Sequence, residues 1–297
     1  MIFRWFSAVV LALICNAALS QASAAPTMEP IRKEVTFHLA GSNEDTVNGV
    51  LTTPATLQDE KAPAIVLLHH GGGWQNTQTR QYAEALSKAG YATLELILFN
   101  TGDEKMAKPS MYLPHVYGAL KFLSKQPYVD AKRIAVSGGS YGGLLTILTA
   151  TDWAYEQYGA PEHIRFAAHA AFYPMCWAIN YFVVKKPGTP DVPGTVYDKY
   201  TGAPVKIYAG SEDDYDGRDP KACDNLVLAL PEDQRSAFSV RVFQGATHGW
   251  DHQRNSTFYE KIACKGKGCY NTNTTDAKIT AEGIEDLKEF LKTAMPK

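Results

Sequence analysis

The sequence has almost no excess of charge of either sign. Its 297 residues include 29 lysines and arginines against 31 acidic residues, which gives a formal net charge of −2. Nucleic-acid-binding proteins usually carry a basic patch or stripe, so this balance argues against a nucleic-acid partner. The sequence also has no internal repeat and no long low-complexity run. A hydrophobic content of 45% is enough to build a substantial core.

Long apolar runs are also missing. The longest run lies near the N-terminus and covers about 12 residues, fewer than the roughly 20 that a membrane-spanning helix needs. Arg4 precedes this run, and residues 22–24 (ASA) have the small-residue pattern of a cleavage site. We therefore predict a secretory signal peptide over residues 1–24 and a single domain over residues 25–297. This predicts a periplasmic or secreted protein without stable membrane insertion.

Cysteine is scarce, with five residues in the chain. Removal of the signal peptide takes Cys15 away and leaves Cys176, Cys223, Cys264 and Cys269, an even number that favours disulfides with three alternative pairings. The short Lys/Gly turn between Cys264 and Cys269 favours a local bridge, which leaves Cys176 with Cys223. A structural zinc site is the rival interpretation, although no Cys-x-x-Cys or paired-histidine spacing supports it. Free buried thiols are the remaining alternative.

Apolar patterns predict strands and helices in alternation. The predicted strands are 35–39, 46–52, 64–68, 91–99, 134–137, 166–172, 205–209 and 239–243, and the predicted helices are 79–89, 112–125, 144–149 and 280–292. The first two strands are expected to pair antiparallel. The rest predicts an α/β fold with a mostly parallel sheet of about eight strands and helices on both faces. Ligands of such sheets bind beyond the carboxyl ends of the strands.

A glycine-rich turn follows the predicted strand 134–137. Residues 138–142 (GGSYG) match the pattern G-x-S-x-G, which presents a nucleophilic serine when it lies between a strand and a helix. Glycines two positions before and after the serine avoid collisions in so sharp a turn. We predict Ser140 as the nucleophile. The alternatives are an incidental serine in a loop and a phosphate-binding turn, which the lack of Gly-Lys-Ser/Thr disfavours.

A serine nucleophile needs a base and an acid that orients the base. In chain order both are expected after the serine, each just past a strand. His248 follows the last predicted strand and is the predicted base. Asp213 follows the strand 205–209 and is the preferred acid, with Asp214 as the alternative and Glu212 and Asp216 nearby. This chemistry requires no metal and no cofactor.

Two backbone amides are expected to bind the oxyanion that forms during acyl transfer. One is the amide of Tyr141, directly after the nucleophile. The other is expected in the glycine-rich turn after the strand 64–68, where we favour Gly72 or one of its neighbours.

The substrate pocket is harder to place. Trp74 and Trp250 flank the turns of the site and are candidate pocket residues, with partly buried loop aromatics as the equal alternative. Residues 99–115 and 176–204 are predicted to form the lid and pocket walls. The sequence does not indicate which oligomeric state the protein adopts.

The motifs "LLHHGGGW", "VDAKRIAVSGGSYGG", "KIYAGSEDD" and "FQGATHGWD" occur in this order along the chain. Over residues 45–295 the chain resembles the α/β-hydrolase superfamily and, within it, the dienelactone hydrolase-like group. The resemblance implies the α/β-hydrolase fold, with Ser140 as nucleophile, Asp213 as acid and His248 as base. It also implies the amides of Tyr141 and the Gly72 region as oxyanion donors. The enzymes that give the group its name use a cysteine nucleophile, where this chain has Ser140.

Exported relatives with a serine nucleophile carry cysteines near the "YPMC" position and after the acid turn. This resemblance adds weight to a Cys176–Cys223 pair. The combined prediction is a serine hydrolase that cleaves a small-molecule carboxylic ester or lactone through an acyl-enzyme. A serine peptidase of the same fold, an acyltransferase and a non-catalytic binding protein on the same scaffold are the alternatives.

Overall fold

The structure is a computed structural model, and it describes residues 1–2, 30–55, 61–100 and 108–297. The predicted signal peptide lies almost wholly outside the described residues. The strands are β1 (Arg32–His38), β2 (Thr46–Thr52), β3 (Ala62–Leu68), β4 (Ala92–Leu96), β5 (Val129–Gly139), β6 (Ala168–Phe172), β7 (Val205–Gly210), β8 (Phe238–Phe243), β9 (Ser256–Glu260) and β10 (Cys269–Asn273).

The longer helices alternate with the strands from β3 onward. They are Thr79–Lys88, Leu113–Ser124, Tyr141–Thr149, Cys176–Lys185, Ala222–Ala229 and Ala277–Ala294. Among the residues that the structure describes, none of the helices combines the length and apolarity that a bilayer crossing requires.

Eight strands form one sheet in the order β1-β2-β4-β3-β5-β6-β7-β8. β1 pairs antiparallel with β2, and β2 pairs antiparallel with β4, whereas every other pair in this sheet is parallel. The predicted mostly parallel sheet of about eight strands and its antiparallel first pair are confirmed. The carboxyl ends of β3, β5, β6, β7 and β8 therefore lie along one edge, where a site can assemble.

Apolar side chains cover both faces of the sheet, as predicted. On one face, Leu86 and Leu287 of two helices pack in a cluster with Ile65 of β3. On the other face, Leu120 and Leu145 of two further helices pack in a larger cluster with central-strand residues. The strands of the sheet interior are apolar on both faces because helices cover both, which is why β3 reads as a continuous apolar run.

Several elements were not predicted from the sequence. They are the helices Cys176–Lys185 and Ala222–Ala229 and the two-stranded hairpin of β9 and β10, which lies outside the main sheet. One disulfide joins Cys176 to Cys223 and so ties the two helices together, and the other joins Cys264 to Cys269 within the hairpin. The structure therefore contains the two bridges that the local-pairing argument favoured.

Candidate active site

The serine turn connects β5 directly to the helix Tyr141–Thr149. Ser140 has φ 53° and ψ −114°, a backbone conformation that is strained for a residue with a side chain. A Cβ atom at Gly138 would lie 2.6 Å from the carbonyl oxygen of Gly142, and one at Gly142 would lie 2.6 Å from that of Leu68. The two glycines thus permit the close approach of strand and helix that the motif predicts.

The side chains of Ser140, His248 and Asp213 form a continuous hydrogen-bonded chain. The Oγ atom of Ser140 lies 2.8 Å from Nε2 of His248, and Nδ1 of His248 lies 2.8 Å from Oδ2 of Asp213. An ionised carboxylate only accepts hydrogen bonds, so a neutral His248 carries its proton on Nδ1 and its Nε2 accepts from the serine hydroxyl. The three residues are 108 and 35 positions apart in sequence, and the sheet brings them together.

Aromatic rings hold the imidazole of His248 from two directions. The ring of Tyr215 has its centroid 4.2 Å from that of His248, and the ring of Tyr173 meets it edge-on at 4.9 Å. The hydroxyl of Tyr173 donates to the buried carboxylate of Asp251, which also accepts from Tyr82 at 2.6 Å. Burial raises the pKa of Asp251. The sequence analysis did not predict this support for His248. The aspartate in the "HGWD" stretch is the feature of the sequence that could have indicated it.

The acids after β7 have separate contacts. Asp213 is 2% exposed and accepts from the amide of Tyr215 at 2.9 Å in addition to its bond to His248. Asp214 instead accepts from the Arg218 side chain and from the amide of Thr272 in β10, at 2.8 and 2.9 Å. The structure therefore places Asp213, and not Asp214, against the imidazole.

Asp216 belongs to the same turn but has different partners. Its carboxylate accepts from the amides of Cys176 and Trp177 at 3.2 and 2.7 Å, at the first turn of the helix Cys176–Lys185. Burial, with a further contribution from the charge of Asp213, raises the pKa of Asp216 to about 7. Asp216 thus satisfies helix amides that have no partner within the helix. Glu212, the remaining acid of the turn, is exposed.

The glycine turn after β3 does not support Gly72 as an oxyanion donor. The amide of Gly72 donates to Nδ1 of His70 at 2.9 Å, and Nε2 of His70 lies 2.9 Å from the carbonyl of Asn76. His70 therefore carries its proton on Nε2, and its two ring nitrogens hydrogen-bond to backbone groups of Gly72 and Asn76 within the turn. Burial lowers the pKa of His70 to about 4, so it remains neutral at neutral pH. Gly71 lies beside Gly72 and, like it, faces the cavity above Ser140.

A cavity of about 670 Å³ opens above Ser140 and His248. It is of the size that small-molecule sites usually have. Trp250 does not line it, contrary to prediction, because the indole is fully buried against Phe172, Tyr173 and Phe243. Trp74 does not line it either. It is partly buried, and its backbone is fixed by a bond to the carbonyl of Phe99.

The predicted pocket walls also need correction. From 99–115 the described residues contribute Pro109 to the cavity lining, and residues 101–107 lie outside the described residues. Residues 176–204 are all described and none of them lines the cavity, although Met175, just before, does. The wall that the sequence did not predict is the segment from Gln253 to Asn273, which contains the β9–β10 hairpin.

The structure matches that of esterase 2 of Thermogutta terrifontis phosphorylated by paraoxon with a TM-score of 0.62 at 18% identity, over 88% of this chain and 94% of that one. It also matches a putative dienelactone hydrolase from Klebsiella pneumoniae subsp. pneumoniae MGH 78578 with a TM-score of 0.55 at 14% identity, over 87% and 98% of the two chains. The chain has the α/β-hydrolase fold. The resemblance predicted from the motifs is confirmed at the level of the fold.

Sequence comparison adds one further match. The model of the prolyl oligopeptidase family matches residues 112–160, the stretch that contains the serine turn. No curated protein sequence matches the chain significantly. The butyrate-bound form of the Thermogutta terrifontis esterase is another structural match, with a TM-score of 0.57 at 19% identity over 92% of this chain and 97% of that one.

Proposed function

We propose that the protein is a serine hydrolase that cleaves carboxylic esters through an acyl-enzyme, with Ser140, His248 and Asp213 as its triad. The proposal depends on one observation. Nε2 of His248 lies 2.8 Å from Oγ of Ser140 while Nδ1 lies 2.8 Å from Asp213. A base that is hydrogen-bonded to the nucleophile and oriented by an acid is the arrangement that makes a serine hydroxyl reactive.

In the proposed reaction, Oγ of Ser140 forms a bond to the ester carbonyl carbon while Nε2 of His248 takes the hydroxyl proton. The resulting oxyanion accepts hydrogen bonds from the amide of Tyr141 and, in place of Gly72, from that of Gly71. Collapse breaks the bond to the alcohol, which leaves with the proton from His248. Water then attacks the acyl-enzyme by the same steps and releases the acid and free Ser140.

The structural matches support an ester as the substrate. They include an esterase in native and butyrate-bound forms and a putative dienelactone hydrolase. A lactone is a cyclic ester and undergoes the same attack, so both substrate types fit the proposed mechanism.

The direct test replaces Ser140 by alanine. With p-nitrophenyl acetate, we expect Ser140→Ala to lower kcat by on the order of 10⁵-fold, because the base is left without a nucleophile. A fluorophosphonate probe should label the parent and not the variant. Ser239→Ala, which changes an exposed serine on β8, is the matched control and should retain both properties. A Ser140→Ala variant as active as the parent would refute the triad, and an unlabelled parent would favour a binding protein.

A serine peptidase is the second candidate, because the prolyl oligopeptidase family model covers the serine turn. Cleavage of unactivated amide bonds separates the two functions. We expect hydrolysis of p-nitrophenyl acetate and no detectable cleavage of short peptides or of p-nitroacetanilide. Cleavage of these amides would assign the protein as a peptidase.

We also propose that the protein works outside the cytoplasm, as a single domain over residues 25–297. The two disulfides support this, because such bridges persist in oxidising compartments. Deleting residues 1–24 should retain the protein in the cytoplasm of a bacterial host, which cell fractionation measures. Unchanged export would contradict the signal peptide.

A further inference from the structure

The hairpin of β9 and β10 forms a wall of the cavity that holds Ser140. Ser256, Phe258 and Glu260 line the cavity, and they alternate along β9. Side chains of successive strand residues point to opposite faces, so Tyr259 lies on the outer face of the same strand. Phe258 is 39% exposed and Tyr259 is 57% exposed. The hairpin thus presents one aromatic ring to the cavity and another of similar size to the outside.

The inner face of the hairpin continues an apolar surface that begins at the nucleophile. Met175, Tyr215 and Ala263 form a buried cluster, and Leu144 of the nucleophile helix packs against it. Three of these four side chains, those of Leu144, Met175 and Tyr215, also line the cavity. Ile262, which follows β9 and is 46% exposed, lines the cavity as well.

These contacts leave large apolar side chains partly exposed to water inside a cavity that is continuous with the Ser140 hydroxyl. A hydrocarbon group bound there would remove apolar surface from water on both sides of the contact. We propose that the β9–β10 hairpin is the specificity wall of the site, and that Phe258 and Ile262 bind the bulky hydrocarbon group of an ester substrate. This inference rests on the proposed esterase function. It covers a hydrocarbon in either the acyl part or the alcohol part.

The wall is fixed by direct contacts to the turn that carries the proposed triad acid. Asp214, next to the triad acid, accepts from the amide of Thr272 in β10, and its carbonyl accepts from the amide of Cys264 at 2.8 Å. The carbonyl of Tyr215 accepts from the amide of Lys265 at 3.1 Å. The Cys264–Cys269 disulfide closes the loop between the strands. Phe258 is therefore held at a defined position relative to the reacting atoms.

The experiment compares three esters hydrolysed by the parent, Phe258→Ala, Ile262→Ala and Tyr259→Ala. Ethyl acetate is the small reference, ethyl hexanoate carries a bulky acyl group and benzyl acetate carries a bulky alcohol. Acid release in a pH-stat gives kcat/KM for each ester. The measured quantity is the ratio of kcat/KM for a bulky ester to that for ethyl acetate.

We expect Phe258→Ala to lower this ratio about tenfold for one of the two bulky esters, and Ile262→Ala to lower it for the same ester by a smaller factor. The ester affected identifies whether the acyl or the alcohol group contacts the wall. Tyr259→Ala removes a ring from the outer face and should keep the parental ratios. It is the matched control for loosening of the hairpin.

Parental ratios for both bulky esters in Phe258→Ala and Ile262→Ala would overturn the inference, as would an equal fall of the ratio in Tyr259→Ala. Neither result touches the proposed function, which fails separately if Ser140→Ala hydrolyses these esters at the parental rate. Thermal unfolding of each variant shows whether it is folded. If Phe258→Ala does not fold, Phe258→Leu replaces it, with the same expected direction.

Discussion

Ser140 and His248 border the same cavity as the β9–β10 hairpin, but different forces hold the proposed triad and the hairpin in place. Ser140, His248 and Asp213 follow strands of the main sheet, and the side chains of His248 and Asp213 are 3% and 2% exposed. The hairpin lies outside that sheet, carries exposed aromatic rings, and is tied down by a carboxylate and a disulfide. In the proposed mechanism, the sheet would therefore fix the reacting groups, while an attached element sets the shape of the pocket.

The two regions meet at consecutive acids. Asp213 orients His248, and Asp214 binds the amide of Thr272 in the hairpin. A single peptide unit therefore joins the proposed triad acid to the carboxylate that holds the hairpin. If this division is correct, removing either charge should damage one region far more than the other.

The largest effect is expected from Asp213→Asn compared with Asp214→Asn. An amide at position 213 favours the wrong imidazole tautomer, so kcat for p-nitrophenyl acetate should fall by about 10⁴-fold. Asp214→Asn should lower kcat far less and should instead change the ratio of bulky to small esters, because it weakens the hairpin anchor. The reverse order of effects would make Asp214 the triad acid. The proposed separation between the triad and the hairpin anchor would then be wrong.

The proximity of Ser140, His248 and Asp213, the proposed triad, was predictable from the sequence because the three residues follow a regular pattern. Each lies just past a strand of the sheet, and the glycines on both sides of Ser140 mark the sharp turn between strand and helix. Such positions depend on local backbone geometry and on apolar strands, and both leave a clear trace in the sequence. The preference for Asp213 over Asp214 rested on spacing alone, and only their separate hydrogen bonds distinguish them.

The pocket wall was not predictable, because it does not depend on the apolar strands of the main sheet. β9 (STFYE) and β10 (CYNTN) lack the apolar alternation of a strand that covers a core, and a disulfide and side-chain bonds hold them instead. The helix Cys176–Lys185 is apolar around most of its circumference and gives no periodic signal. Trp250 was a candidate pocket residue, with a partly buried loop aromatic as the equal alternative, but packing against Phe172, Tyr173 and Phe243 buries it fully. Long-range packing decided each of these outcomes.

A second, smaller effect concerns His252, which lies between the two regions. Its ring stacks on His70 of the glycine turn at 4.0 Å, and its Nδ1 lies 3.4 Å from Nδ2 of Asn273 in β10. Burial, with a contribution from His248, lowers the pKa of His252 from 6.5 to about 3. In the unfolded chain the ordinary value of 6.5 returns. The resulting stabilisation is therefore present above pH 6.5 and is lost as pH falls toward 3.

At pH 5 this histidine alone should reduce the free energy of unfolding by about 2 kcal/mol relative to pH 7.5. Urea unfolding at both pH values should show that His252→Gln loses less stability on acidification than the parent. His163→Gln, which removes an exposed histidine, controls for the loss of a histidine as such. An equal pH dependence of the free energy of unfolding in all three proteins would show that protonation of His252 does not contribute to it.

The smallest effect is expected from opening the loop of the hairpin. In the double variant Cys264→Ser and Cys269→Ser, the backbone bonds from Cys264 and Lys265 to Asp214 and Tyr215 remain available, so the wall should loosen without leaving its place. We expect the ratio of bulky to small esters to fall by less than the tenfold change expected for Phe258→Ala, since the ring is still present but less fixed. Labelling of Ser140 by a fluorophosphonate should keep its parental rate, because the hydrogen bonds that join Ser140, His248 and Asp213 do not involve the disulfide. Lys267→Ala, within the same loop, is the control with the disulfide intact. A loss of labelling in the double variant would mean that the hairpin also holds Ser140 and His248 in position. The two regions would then not act separately.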